Sequence, residues 1–128
     1  MDYSNIRKTP QGIAILNSLK SSHNHPTAND IYQDVINKFP KISLATVYKN
    51  LNKLTKQKMI QEIYIRNEPN RFDKNPFTHY HMICSSCGDV KDLSYPVLYE
   101  IESFVSDLYN FLVSDHVFNL YGICEKCQ

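Results

Sequence analysis

The chain has 128 residues, of which 42% are hydrophobic and 21% charged, a globular composition with room for one domain or two small ones. This composition excludes a disordered tail, and no apolar run approaches the ~20 residues of a membrane helix. The N-terminal stretch lacks the pattern of a secretory signal, so we expect a cytoplasmic protein without a membrane partner. In a reducing compartment, four cysteines indicate metal ligands or redox groups rather than a disulfide framework.

Charge is distributed unevenly along the chain, although the net formal charge is only +1. Residues 1–78 carry twelve Lys and Arg against six Asp and Glu, a balance of +6, whereas the remainder carries two against seven, a balance of −5. This asymmetry predicts two modules, which we place at residues 1–76 and 77–128. The basic module suits a polyanion, although lysine-rich solvated helix faces would give the same counts.

Three amphipathic helices are predicted in the basic module. The first runs from about Pro10 to Lys20 with Thr9 as its cap, and Thr27 and Ser43 cap the second and third. The apolar faces are predicted to contain Ile13, Leu16 and Leu19 in the first helix, Ile31, Val35, Ile36 and Phe39 in the second, and Leu44, Val47, Leu51 and Leu54 in the third.

The third helix carries a polar and basic face opposite its apolar one. As the second helix of a helix-turn-helix it would enter the major groove, with lysines at phosphates and polar or methyl-bearing groups at base edges. A helical hairpin without a DNA function can look similar. The residues predicted to bind double-stranded DNA are Ser43, Ala45, Thr46, Tyr48, Lys49, Asn52, Lys53 and Lys56.

A β-hairpin is predicted after the third helix. Residues 60–66 alternate as a strand does, residues 67–70 have turn composition, and Arg71 to Asp73 begin a return strand. A hairpin in this place makes the module a winged helix-turn-helix.

Two C-x2-C pairs are the strongest chemical signal in the chain. Cys84 and Cys87, followed by Gly88, form the first pair, and Cys124 and Cys127 form the second. Two tight turns of this kind complete a tetrahedral Zn²⁺ site, and a segment of about 50 residues rarely folds alone without a metal, disulfides or a partner chain. Two separate redox dithiols are the alternative, but neither pair opens a helix in a βαβ unit.

An H-x-H motif precedes the first cysteine pair. If residues 78–83 form a strand, His79 and His81 lie on the same face and can grip one metal ion. Asp92 lies five residues past Cys87, where the chain would return as the next strand. We therefore favour metal ligation over a structural or surface role for this pair.

The rest of the acidic module predicts one helix and a further extended stretch. Pro96 begins a helix with an apolar stripe, and residues 111–123 are largely extended. The stripe contains Leu98, Ile101, Phe104, Val105 and Leu108. This β-α-β module has more apolar positions than it can bury alone, which favours a homodimer. The predicted fold class is α+β, an N-terminal winged helix-turn-helix followed by a small α/β dimerisation domain with a structural zinc site.

These features together resemble the ferric uptake regulator family, the bacterial metal-dependent repressors, over most of the chain. The resemblance implies a non-enzymatic regulator with a winged helix joined to a dimerising α/β domain. It also implies metal-loaded homodimers that bind operator DNA. The stretches that carry the resemblance are T-P-Q, H-P-T-A-N-D-I-Y, S-L-A-T-V-Y-K-N-L, R-F-D, H-Y-H-M-I-C-S-S-C-G and Y-G-I-C-E-K-C.

Within the family the chain is most similar to the peroxide-responsive PerR branch. Asp73 is the most telling residue, because iron-sensing members typically carry glutamate there. The resemblance implies a regulatory Fe²⁺ or Mn²⁺ site at which peroxide, the only small-molecule signal, oxidises His25 or His79 in the iron form and releases DNA. A manganese form would resist peroxide. The implied ligands are His25, Asp73, His79, His81 and Asp92.

The sequence departs from the family pattern at several positions. Thr78 and Tyr80 replace metal-binding side chains of a further site in some iron sensors, so we interpret the remaining His116 as structural or surface. Gly12 stands where arginine commonly follows T-P-Q, which predicts the loss of a phosphate contact near the first helix. Only eight residues precede Thr9, which predicts a truncated or missing leading helix.

Three other functions are compatible with parts of the sequence. A sensor of iron or another metal could respond to occupancy alone, without peroxide chemistry. The C-x2-C pairs could belong to a thiol oxidoreductase, which a tightly bound zinc resistant to mild oxidant would argue against. A zinc-stabilised protein-interaction module would show no salt-dependent DNA affinity.

Overall fold

Three helices form the first part of this computed structural model, which describes residues 9–128. Thr9, Thr27 and Ser43 cap them, each accepting a hydrogen bond from a backbone N–H three residues on. The cap residues are as predicted. The helices are α1 (Pro10–Ser21), α2 (Ala28–Val35) and α3 (Leu44–Lys56).

The core of the first unit lies between these helices. Its most buried side chains include Ile15, Leu19, Ile31, Val47 and Leu51. Burial of such side chains stabilises a fold by roughly 1.5–3 kcal/mol each.

Two residues predicted for this core are exposed instead. Ile13 is 41% exposed, since it lies about 200° around the helix from the fully buried Ile15. Leu44 is 37% exposed, because it is the first residue of α3 and lies at the end of the apolar face.

A short antiparallel hairpin follows α3. Strand β1 (Gln61–Ile63) pairs with β2 (Arg71–Asp73), and Gln61 lies opposite Asp73. The predicted strand over residues 60–66 is therefore too long, because pairing with β2 extends over only three residues and residues 64–70 connect the strands. The hairpin completes the predicted winged helix-turn-helix.

The second unit runs from Thr78 to Gln128 and contains a mixed sheet of order β4-β3-β5. Strand β3 pairs antiparallel with β4 and parallel with β5, and the parallel pair is joined through α4. The elements are β3 (Tyr80–Cys84), β4 (Val90–Leu93), α4 (Tyr99–Tyr109) and β5 (Asn119–Gly122). Strand β3 begins two residues after Thr78, and within residues 111–123, which are predicted to be largely extended, Asn119–Gly122 forms the paired strand.

Helix α4 has no buried side chain in the single chain. Phe104 and Leu108 of its predicted apolar stripe are both well exposed. The predicted α+β fold class is confirmed. The prediction of a truncated leading helix concerns residues 1–8, which lie outside the described residues.

Candidate metal centres and nucleic-acid interface

Four cysteine sulfur atoms converge in the second unit, all within 4.8 Å of one another. Cys84 ends β3, and Cys124 follows β5. The parallel pairing of Cys84 with Gly122 brings the two ends together, and the Ser85 N–H donates to the Gly122 carbonyl at 2.7 Å. The two C-x2-C turns are therefore positioned by neighbouring strands.

The first C-x2-C turn is closed by backbone hydrogen bonds. The Gly88 N–H donates to the Cys84 carbonyl, and the Cys84 N–H donates to the Asp89 carbonyl, both at 2.9 Å. Gly88 has φ of +77°, a left-handed conformation that glycine adopts without steric cost. This turn leaves the Cys84 and Cys87 thiols on its inner side with the second pair.

The thiol environment favours a cation at the centre of the cluster. Backbone N–H groups of Cys124 and Cys87 donate to Cys84 Sγ at 3.4 Å and lower the pKa of that thiol to about 6. Ser86 favours the Cys127 thiolate, but the neighbouring thiols and burial outweigh it and raise the pKa of Cys127 to about 12. The raised pKa of Cys127 opposes a second thiolate beside Cys84, and a cation at the centre of the cluster would compensate that charge.

The spacing of the sulfur atoms suits Zn²⁺. Zn–S bonds of about 2.3 Å in a tetrahedron give sulfur–sulfur edges of about 3.8 Å. Cys87 Sγ lies 3.8 Å from Cys124 Sγ. The predicted structural zinc site thus has the correct donor set and dimensions.

A second set of donors in the same unit centres on Asp92. Its Oδ1 atom lies 3.1 Å from His79 Nε2 and 3.3 Å from His81 Nε2. The cause is local: His81 lies opposite Asp92 in the β3–β4 ladder, and His79, two residues before His81, presents its ring to the same side. The His81 side chain is only 2% exposed, so its polar ring atoms are held inside the protein.

The first unit contains another His/Asp pair. His25 Nε2 lies 3.2 Å from Asp73 Oδ2, and Asp73 is 5% exposed. Strand β2 holds them together, because the Phe72 N–H donates to the Pro26 carbonyl at 2.8 Å and Arg71 donates to the His25 carbonyl at 2.9 Å. This long-range pairing brings His25 to the strand that carries Asp73.

The chemistry of these donors distinguishes the two kinds of site. Thiolates select Zn²⁺, whereas a mixture of imidazole nitrogen and carboxylate oxygen suits Fe²⁺ or Mn²⁺. The buried His81 and Asp73 fit the second kind, since each is a polar side chain kept from solvent.

The predicted DNA-binding residues form the outer face of α3. Ser43 is the N-cap of α3. Its Oγ also lies 2.9 Å from Thr46 Oγ1, so the two hydroxyl groups form a hydrogen bond with each other. The other six line one open surface concavity together with Gln57: Ala45, Tyr48, Lys49, Asn52, Lys53 and Lys56. Three lysines give this surface a positive charge.

Sequence reasoning missed a polar network behind β3. Tyr80 Oη lies 2.6 Å from His116 Nε2, and His116 Nδ1 lies 2.6 Å from Glu102 Oε2. The Leu98 N–H also donates to Tyr80 Oη at 2.8 Å. We predicted His116 to be structural or surface, and it is an internal member of this network. Its partners lie 36 and 14 residues away in the sequence, so no local sequence pattern predicted these hydrogen bonds.

No helix in residues 9–128 is both long enough and apolar enough to cross a membrane.

Comparison with known proteins supports the resemblance drawn from the sequence. The family model of the ferric uptake regulator family matches residues 3–121. The peroxide-responsive repressor PerR of Staphylococcus aureus (strain Mu50) is 45% identical over 123 residues, which cover 96% of this chain and 83% of that protein.

Solved structures of similar proteins also support the resemblance to this family. The peroxide stress regulator of Campylobacter jejuni is 36% identical with a TM-score of 0.76, over 92% of this chain and 89% of that one. The ferric uptake regulator of Francisella tularensis is 22% identical and supports the fold alone, with a TM-score of 0.81 over 99% and 98%. The predicted resemblance, including its peroxide-responsive branch, is confirmed. The chain belongs to the ferric uptake regulator family.

Proposed function

We propose that this protein is a metal-dependent dimeric repressor of transcription that senses peroxide and then releases operator DNA. The observation that carries the proposal is the convergence of His79 Nε2 and His81 Nε2 on one oxygen of Asp92. The names of the relatives in Staphylococcus aureus and Campylobacter jejuni support the peroxide signal.

The regulatory ion is proposed to take donors from both units. His25 and Asp73 supply two, and the second unit supplies three more from His79, His81 and Asp92. Neither set alone approaches the six ligands of octahedral Fe²⁺ or Mn²⁺, whereas five together leave one position for a small oxidant. One ion would then link the DNA-binding part, residues 1–76, to the dimerising part, residues 77–128.

We propose that peroxide sensing ends with the oxidation of a histidine ring. When bound, Fe²⁺ supplies the reducing power that activates peroxide, which Mn²⁺ does not. In net, one peroxide oxygen adds to a ring carbon of His25 or His79 and the other leaves as water. The oxidised ring loses a basic nitrogen, so it no longer binds the metal.

Loss of the metal would then change the affinity for DNA. In a homodimer, metal binding selects the arrangement in which the two α3 helices match successive major grooves. The lysines of α3 would contact phosphates, and Ala45, Thr46, Tyr48 and Asn52 of the same helix are proposed to contact base edges. The exposed apolar side chains of α4, such as Phe104, are the proposed contacts between the two copies.

The direct test is operator binding by protein loaded with Fe²⁺ or Mn²⁺, with and without peroxide. We expect both forms to bind DNA and only the Fe²⁺ form to release it after peroxide. Identical behaviour of the two forms would instead identify a sensor of metal occupancy. Failure of both forms to bind DNA in a salt-dependent manner would overturn the repressor function altogether.

A further inference from the structure

We infer that Tyr80 is a positioning residue for the regulatory metal ligands, acting through the hydrogen-bond network that fixes β3 against α4. The inference rests on the proposed function, because it concerns the donors His79 and His81. Tyr80 lies between them in the chain, and neighbouring residues of a strand point to opposite faces. The phenol and the imidazoles are therefore held by the same few backbone atoms.

Only one placement of the hydrogen atoms gives every polar atom of this network a hydrogen-bond partner. Leu98 N–H donates to Tyr80 Oη at 2.8 Å, so the phenol hydrogen is available to His116 Nε2 at 2.6 Å. His116 then carries its own hydrogen on Nδ1 and donates to Glu102 at 2.6 Å. Each polar atom along this path has a partner, and such connected networks are rigid.

The network joins three separate parts of the second unit. Tyr80 belongs to β3, and Leu98 and Glu102 lie at the beginning of α4, while His116 precedes β5. Leu98 occupies the cap position of α4, where it provides no side-chain cap, so the phenol oxygen satisfies its N–H. Helix α4 buries no side chain fully in the single chain, and these polar contacts join its beginning to β3 and to the segment before β5.

Packing on the same face of β3 restricts the movement of the Tyr80 side chain. The Tyr80 side chain is 2% exposed, and its ring centroid lies 5.0 Å from that of Phe118. A rotation or shift of β3 would break the hydrogen bonds on this face and move both imidazoles on the other. The phenol hydroxyl therefore fixes the beginning of β3, and with it the positions from which His79, just before the strand, and His81, within it, reach Asp92.

The substitution Tyr80→Phe isolates this effect, because it keeps the ring and removes only the hydroxyl. Tyr95→Phe is the matched control, since it removes the hydroxyl of an exposed tyrosine in the same unit. Protein with its cysteine site filled by zinc would be titrated with Co²⁺, whose visible absorption reports ligand geometry, and with Mn²⁺ for affinity. His81→Ala would mark the signal that belongs to the regulatory site.

For Tyr80→Phe we expect a changed Co²⁺ spectrum and Mn²⁺ binding weakened by about 10-fold, with zinc content unchanged. The Tyr95→Phe variant should match the unsubstituted protein. A lower melting temperature with an unchanged Co²⁺ spectrum and Mn²⁺ affinity would show a merely structural hydroxyl and overturn the inference.

Two substitutions of Glu102 test the same network if Tyr80→Phe does not fold. Glu102→Ala should change the Co²⁺ spectrum, whereas Glu102→Gln keeps an acceptor for His116 and should restore it. Unchanged spectra in both would overturn the inference while leaving the proposed function intact. Absence of any Co²⁺ or Mn²⁺ signal in the unsubstituted protein would overturn the regulatory site and the inference together.

Discussion

The four cysteines and the five nitrogen and oxygen donors are organised in different ways. All four sulfur atoms come from one unit, where paired strands and tight turns hold them within 4.8 Å of one another. The other donors are divided, with two in the first unit and three in the second. A site within one unit can stabilise that unit, whereas the proposed regulatory site would take its donors from both.

The chemistry of the ligands follows the same division. Thiolates hold Zn²⁺ in a closed tetrahedron that leaves no position for another ligand. Imidazoles and carboxylates bind Fe²⁺ or Mn²⁺ more weakly, and the five donors proposed for one ion would leave an open position. We therefore expect substitutions at the first site to affect folding and substitutions at the second to affect regulation.

The largest effect is expected from Cys127→Ser. Loss of one thiolate should release zinc and unfold the second unit, because structural zinc contributes on the order of 10 kcal/mol to folding. Zinc content and circular dichroism on heating would measure this. Ser85→Ala, in the other cysteine turn, is the control and should change neither. A folded, cooperative Cys127→Ser protein without zinc would show that the metal is not structural.

The next effect is expected from His81→Ala at the proposed regulatory site. Removal of this buried ligand should weaken Mn²⁺ binding by more than about 10-fold and abolish the metal dependence of DNA binding, while zinc stays bound. Metal titration of zinc-loaded protein would measure it. His23→Ala, an exposed histidine outside both donor sets, should behave as unsubstituted. Zinc loss in His81→Ala would contradict the separation of the two sites.

A more selective effect is expected from Asp73→Glu. The longer side chain keeps a carboxylate ligand but changes its reach, so metal-dependent DNA binding should remain and sensitivity to peroxide should fall. Release of operator DNA by the iron form over a range of peroxide concentrations would measure this. Unchanged sensitivity would argue against a role for Asp73 in tuning the response.

The smallest effect is expected from Lys53→Gln on α3. Loss of one phosphate contact in each copy of the homodimer should weaken operator binding several-fold for any sequence and reduce the salt dependence by about two ions. Fluorescence anisotropy over a series of salt concentrations would measure both quantities. Lys91→Gln, an exposed lysine in the second unit, should leave them unchanged. Equal effects of the two substitutions would place the DNA contacts elsewhere.

Features set by local sequence were predictable, and features set by long-range pairing were not. The caps and the C-x2-C turns depend on residues within a few positions of one another. In contrast, His25 meets Asp73 only because residues 25–27 pair with β2, which is nearly 50 residues away. The resemblance to a known family indicated that pair, while physical patterns in the sequence did not.

The wrong prediction that Ile13 is buried has the same origin. Ile13 fits a helical spacing with Leu16 and Leu19, yet the neighbouring helices cover the face centred on Ile15. Periodicity marks apolar side chains but does not tell which way the helix faces its neighbours. The Tyr80 network could likewise not be predicted from the sequence, because its members meet only when the second unit is folded.

The most direct test of the account is peptide mass spectrometry of Fe²⁺-loaded and Mn²⁺-loaded protein after brief exposure to peroxide. We predict one added oxygen on the peptide that contains His25 or His79 in the iron form, and no addition in the manganese form. That result would establish the sensing chemistry and place the metal at these residues. Intact iron-loaded protein with neither peptide oxidised would contradict peroxide sensing and leave a repressor that responds to metal alone.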